Sequence, residues 1–160
     1  DQQYVPYISQ PQEPIATAVK QSPSKGKKAP RPFLWSDNYS VGNVELDRQH
    51  QHILQLINEI VELLNQTEPS KEVMSRLMRL YEVAQQHFYF EEIYLSRSDY
   101  SDLKSQQKSH SAYTDHVLQL MSDGVSNAEN RNALISFLLE WWNNHILIED
   151  MAYKGHLEQV

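Results

Sequence analysis

An all-α fold, an antiparallel up-down four-helix bundle preceded by an extended N-terminal segment, is predicted by three observations. Apolar residues recur at three- and four-residue spacing in four separate stretches. Six of the seven prolines lie within residues 1–33, which leaves the rest of the chain nearly free of helix breakers. The 160 residues, 40% of them apolar, suffice for one sizeable core but not for two domains of usual size. The expected division is a Pro/Lys-rich linker or extension over 1–33 and one bundle over 34–160.

Composition removes several function classes. No cysteine is present, so disulfides, thiolate ligands, iron–sulfur clusters and cysteine nucleophiles are excluded, and a bound metal must be held by imidazole, carboxylate or amide. A net charge of −7 argues against a general nucleic-acid binder, which needs clustered Lys and Arg. No apolar run is long enough to span a bilayer, so direct membrane insertion of this segment is not expected. The first residue is Asp1, which suggests a processed or excised piece. The stretch from Lys20 to Lys28 reads as a solvated tether, and a linker implies a covalently attached output domain.

Ordered structure is expected from Phe33-Leu34-Trp35, with a loop through Gly42 and a first helix from about Val44 to Asn65. Its apolar stripe is Leu46, His50, Ile53, Leu54, Ile57, Val61 and Leu64, so His50 occupies a core position and His52 faces away. A second helix starts at Ser70 as N-cap with Glu72 in its first turn and runs to about Leu95. Leu77, Tyr81, Ala84, His87, Glu91 and Leu95 share one of its faces. A carboxylate on a core face costs several kcal/mol unless something positive meets it. The third helix, from about Leu103 to Met121, has the stripe Leu103, Gln106, His110, Tyr113, Val117 and Leu120 and stops before Asp123-Gly124. His116 lies on another face. The last helix starts near Asn130 and carries Leu134, Phe137, Leu138, Trp141, His145 and Ile148, followed by Asp150 and Tyr153. Asp150 is five residues from His145, so for both to reach one centre the backbone must bend or be ending there.

Four helices with one inward histidine each, two of them with an added carboxylate, are not four independent accidents. The set His50, His87, Glu91, His110, His145 and Asp150 exceeds one tetrahedral zinc and suits two metals that share carboxylates, with iron the first choice over manganese and zinc. The ferritin-like pattern requires Glu-x-x-His, and no Glu here has a His three residues later.

Several motifs in order resemble those of a bacterial hemerythrin domain over roughly residues 34–157. They are Trp35…Tyr39-Ser40-Val41-Gly42, Leu46-Asp47-Arg48-Gln49-His50, His87-Phe88-x-x-Glu91-Glu92, and Trp141-x-x-x-His145-Ile146-x-x-x-Asp150-x-x-Tyr153. The resemblance implies two iron ions (Fe2+/Fe3+), oxo- or hydroxo-bridged, with O2 or a small anion as exogenous ligand. It implies Glu91 and Asp150 as bridges, His50 and His87 on the iron with the open position, and His110 and His145 on the other. Trp141, Tyr153, Glu92 and Tyr113 are expected around them. The family pattern also has His-x-x-x-His on the third helix, whose first member falls at position 106, where this chain has Gln106. That glutamine is a weak ligand or marks a vacant position.

The function this implies is an oxygen or redox sensor module of a larger signalling protein, in a bacterial cytoplasm, either free or in a membrane-attached parent. An O2 carrier is the alternative, as is a di-iron enzyme reducing peroxide, O2 or nitric oxide with Tyr153 or Glu92 as proton donor. A bundle that binds zinc or nothing and serves as an interaction module completes the set.

Overall fold

A computed structural model describes residues 33–66 and 71–157. A short 3-10 turn, Asp37–Tyr39, leads into α1 (Val44–Leu64), α2 (Glu72–Arg97), α3 (Leu103–Asp123) and α4 (Ala128–Trp141), and α4 continues without a break into a π-helical segment, Trp142–Asp150. The expected linker and the Ser70 N-cap lie outside the described residues; Lys71 heads α2 there and makes no side-chain cap.

The helix ends follow from local chemistry. Asn43 caps α1, its Oδ1 accepting from the backbone N–H of Glu45 and of Leu46, both at 3.1 Å. Just before it, Asp47 ties down the entry loop by accepting from Val41 N (2.8 Å) and the Ser40 hydroxyl (2.6 Å), a turn that needs Gly42 at φ 86°. Gly124 at φ 68° closes α3. The fourth helix begins at Ala128 rather than Asn130, because the Asn127 side chain caps it by accepting from Asn130 N.

Each helix packs on two neighbours, α1 on α2 and α4, and α3 on α2 and α4, which closes the ring of a four-helix bundle. The main core holds Ile53, Ile57, Ile60, Leu77, Leu80, Leu134, Leu138, Trp142 and Ile146. A smaller cluster of Val41, Leu46, Leu95, Tyr153 and Leu157 closes one end. The buried polar residues fall in the chain between these two clusters: His50 between Leu46 and Ile53, and Glu91 between Phe88 and Leu95. No described helix is long and apolar enough to cross a membrane.

One expectation on α4 is corrected. Ile148 belongs to the inward stripe only if the helix stays α; it is 64% exposed. The π segment, with i to i+5 hydrogen bonds, takes more residues per turn than an α-helix, so the inward positions after Trp142 become His145, Ile146 and Asp150.

Candidate metal centre

The inward residues of the four helices meet in one buried layer. Donor atoms of His87, Glu91, His145 and Asp150 all lie within 4.8 Å of one another. His50 and His110 border the same group, His50 Nε2 at 3.2 Å from Asp150 Oδ2 and His110 Nε2 at 3.6 Å from Glu91 Oε2. Further contacts run from His87 Nε2 to Glu91 Oε2 (3.1 Å) and from His145 Nε2 to Asp150 Oδ1 (3.6 Å). The two carboxylates thus lie between histidines of α1 and α2 on one side and of α3 and α4 on the other. The π segment meets the demand for a changed backbone, since its wider turn brings Asp150 round to the inward face that His145 occupies.

Many of these atoms are unsatisfied. Both oxygens of Glu91, Asp150 Oδ2, His110 Nε2 and His145 Nε2 are buried without a well-formed hydrogen bond, although all face the same space. His50 Nε2 and His87 Nε2 stand 3.2 Å apart, two imidazole nitrogens aimed at each other. Orphaned donors of this kind in a buried layer fit a cation, and an imidazole and carboxylate set fits a divalent transition metal.

The electrostatics of the metal-free cluster agree. Burial, and then the charge of Asp150, push the Glu91 carboxyl well above its usual range. Burial acts the same way on Asp150, but the charge of His145 and the close approach of His50 Nε2 (3.2 Å) and His87 Nε2 (3.7 Å) outweigh it and hold Asp150 ionised. Burial lowers His50 and His87. It also opposes the charge on His145, yet Asp150 and Glu149 prevail and raise that imidazole to about 9. His110 falls to about 4 although Glu92 is 2.7 Å away, because burial and the charge on His145 exceed that one hydrogen bond. The layer is therefore held together by protons and one buried ion pair, which a metal cation would replace.

The hemerythrin HHE cation-binding domain model matches residues 41–157. The chain belongs to the hemerythrin family. It is 32% identical over 128 residues to a hemerythrin-like protein of Naegleria gruberi, covering 80% of this chain and 96% of that one. It is 28% identical over 130 residues to a myohemerythrin of Riftia pachyptila (81% and 98%) and 25% identical over 126 residues to a bacteriohemerythrin of Clostridium acetobutylicum (76% and 98%). Hemerythrins bind a di-iron centre and O2.

Within this hemerythrin fold Gln106 is buried on α3, and its Nε2 donates to Asp150 Oδ1 at 3.3 Å. Trp141 stacks on His145 (5.3 Å, 22°) and meets Tyr113 at a tilt (4.3 Å, 36°), and Phe88 lies flat on His110 (4.0 Å, 9°). The buried Tyr153 hydroxyl has no hydrogen-bond partner. Exposed His116 stacks on Phe137 (4.4 Å, 4°), away from the cluster.

Sequence reasoning missed the residues behind the histidines. Gln49 Oε1 lies 3.1 Å from His87 Nδ1, and Glu149 Oε2 lies 2.7 Å from His145 Nδ1 and accepts from the Ser109 hydroxyl at 2.7 Å. Glu92 Oε1, expected nearby, lies 2.7 Å from His110 Nδ1. Such partners fix the tautomer and leave Nε2 facing the centre.

Proposed function

We propose that this chain is a non-heme di-iron O2-binding domain that acts as an oxygen or redox sensor module, coupled through its N-terminal segment to an output domain in a cytoplasmic setting. His50 and His87 would hold one iron, His110 and His145 the other, with Glu91 and Asp150 shared. The iron pair supplies one-electron redox steps and an open position for a diatomic molecule or small anion. Everything else is the work of the protein. Gln49, Glu92 and Glu149 orient three of the rings, and Phe88, Trp142 and Ile146 keep bulk water out.

The observation that carries the sensor reading is Gln106. It stands on the inward face of α3, and its amide donates to Asp150. His110 and His145 would then be the imidazoles that hold the α3/α4 ion, with an amide where a third would stand, which favours fast oxidation over storage. Conversion between ferrous and ferric states changes the charge that four helices share, and a shift of those helices is what a linked module would read.

A second reading, reduction of peroxide or nitric oxide, is favoured by one feature: the Tyr153 hydroxyl is buried without a hydrogen bond, its proton held by burial and by the nearby charge of Asp150. Tyr153 would then be the proton donor.

The test is to load the protein with iron, reduce it, and follow its spectrum in air. Rapid return of the oxidised spectrum with no lasting coloured species, and a longer-lived one in Gln106→His, is the expected result. A coloured species that persists for hours in the wild type would make the chain a carrier. Sustained peroxide consumption, lost in Tyr153→Phe, would make it an enzyme.

A further inference from the structure

The four imidazoles differ in what stands behind them. His110 is backed by Glu92 and His145 by Glu149, each at 2.7 Å. Both carboxylates are themselves held from α3, Glu92 by Gln107 Nε2 (3.2 Å) and Glu149 by Ser109 Oγ (2.7 Å). On the opposite side His87 meets only the neutral amide oxygen of Gln49 at 3.1 Å, and His50 Nδ1 is buried with no hydrogen-bond partner. A carboxylate does stand beyond Gln49, but Glu45 is one residue removed from the ring and is already paired with Arg48 at 2.7 Å.

An Nδ1–H given to a carboxylate leaves more electron density on Nε2 than one given to an amide, and it sets a full negative charge close to the ion. Glu91 and Asp150 are common to both sides and cancel in the comparison. With Gln106 in place of a third imidazole, counting histidines alone gives a tie of two against two. The partners behind the rings break it.

Resting on the di-metal reading, we infer that Glu92 and Glu149 are positioning residues that make the His110/His145 position the one filled first and held more tightly, despite its missing imidazole. The His50/His87 position is the one that gains and loses its ion. A firmly held ion on the α3/α4 side is compatible with an exchangeable external position on that same ion, because the two concern different bonds.

The test is an anaerobic titration of the metal-free full chain with Co2+ against a chromophoric chelator. Two equivalents in two separated steps are expected. Glu92→Gln and Glu149→Gln should each weaken the first step by roughly 10–100-fold and the second far less. Gln49→Leu should weaken the second step only. Glutamine still accepts the Nδ1–H through its Oε1, so a loss in these variants reads the charge and not a broken contact, and Glu149→Asp should restore part of it. Glu149 is exposed, so its variant keeps the test alive if Glu92→Gln does not fold.

Equal weakening of both steps, or an effect of Glu149→Gln on the second step alone, would overturn the inference while two bound ions keep the di-metal reading. A single Co2+ would overturn the di-metal reading and, with it, the ordering of two positions, even if its affinity falls in Glu149→Gln. Absence of any binding would remove both.

Discussion

Asp150 Oδ1 lies 3.6 Å from His145 Nε2, although five residues separate the two in the chain. On an α-helix that spacing would turn the carboxylate well away from the imidazole. Nine residues of π-helix, Trp142–Asp150, absorb the difference and keep both groups inward. A π segment at a functional site is a recognised use of an otherwise rare conformation.

Deleting one residue from that segment tests this role. Ile148 is 64% exposed and lies between the two ligands. Its removal turns the spacing into four residues, the repeat of an ordinary α turn, so the aspartate should still meet the histidine and Tyr153 should keep its register. The deletion variant is expected to bind metal and to melt at or above the wild-type temperature, as read by iron content and circular dichroism. Loss of metal in a folded variant would show that the π geometry itself is required.

Two substitutions of carboxylates should part ways. In the metal-free protein His145 has two counter-charges, Asp150 at Nε2 and Glu149 at Nδ1, and Asp150→Asn removes the buried one, at a cost of about 1.5–3 kcal/mol in urea unfolding. Burial keeps Glu91 neutral there, so Glu91→Gln should change stability by less than about 1 kcal/mol. Both should lose metal. Equal destabilisation of the metal-free forms would contradict this assignment of charge.

The entrance of α1 offers a prediction on pH. Hydrogen bonds from Arg48 and Gln49 lower the Glu45 carboxyl from the usual 4.5 to about 2. Its folded value lies below its unfolded one, so its contribution is complete above about 4.5 and is lost as pH falls through about 2. Carboxyl NMR should find Glu45 still ionised near pH 3. In Arg48→Ala its titration should move up towards the ordinary value.

Metal removal should be visible as lost stability. An ion that binds only the folded chain stabilises it by about 4 kcal/mol at a thousandfold excess over its Kd, on the order of ten degrees in Tm for a domain of this size. Chelation should reverse that shift, and adding iron back should restore it. A melting temperature indifferent to chelator would mean that no ion bridges the helices.

Much of this centre is legible in the sequence, and for a physical reason. His50, His87, Glu91 and His110 stand at positions where helical periodicity demands apolar residues, and a polar side chain in such a place calls for a partner. The five-residue gap from His145 to Asp150 shows that the backbone must change there. It does not show that the change extends over nine residues, and so Ile148 was assigned to the core. Gln49 and Glu149 escape notice because each sits beside a ligand in the chain, on a flank where a polar residue normally needs no explanation. Gln49 follows this rule least, since it neighbours His50 yet serves His87 on another helix. Contacts of that kind depend on how two helices are rotated against each other, which periodicity along one helix does not encode. The Ser109 hydroxyl on Glu149 is hidden for the same reason.

The most direct measurement is the iron content of the anaerobically loaded, desalted protein, taken with its Mössbauer spectrum after oxidation. Two irons per chain in two distinguishable environments are expected, falling to one or none in His50→Ala and in His110→Ala. One iron per chain in the wild type, or two that survive both substitutions, would contradict a di-iron centre built from these six residues.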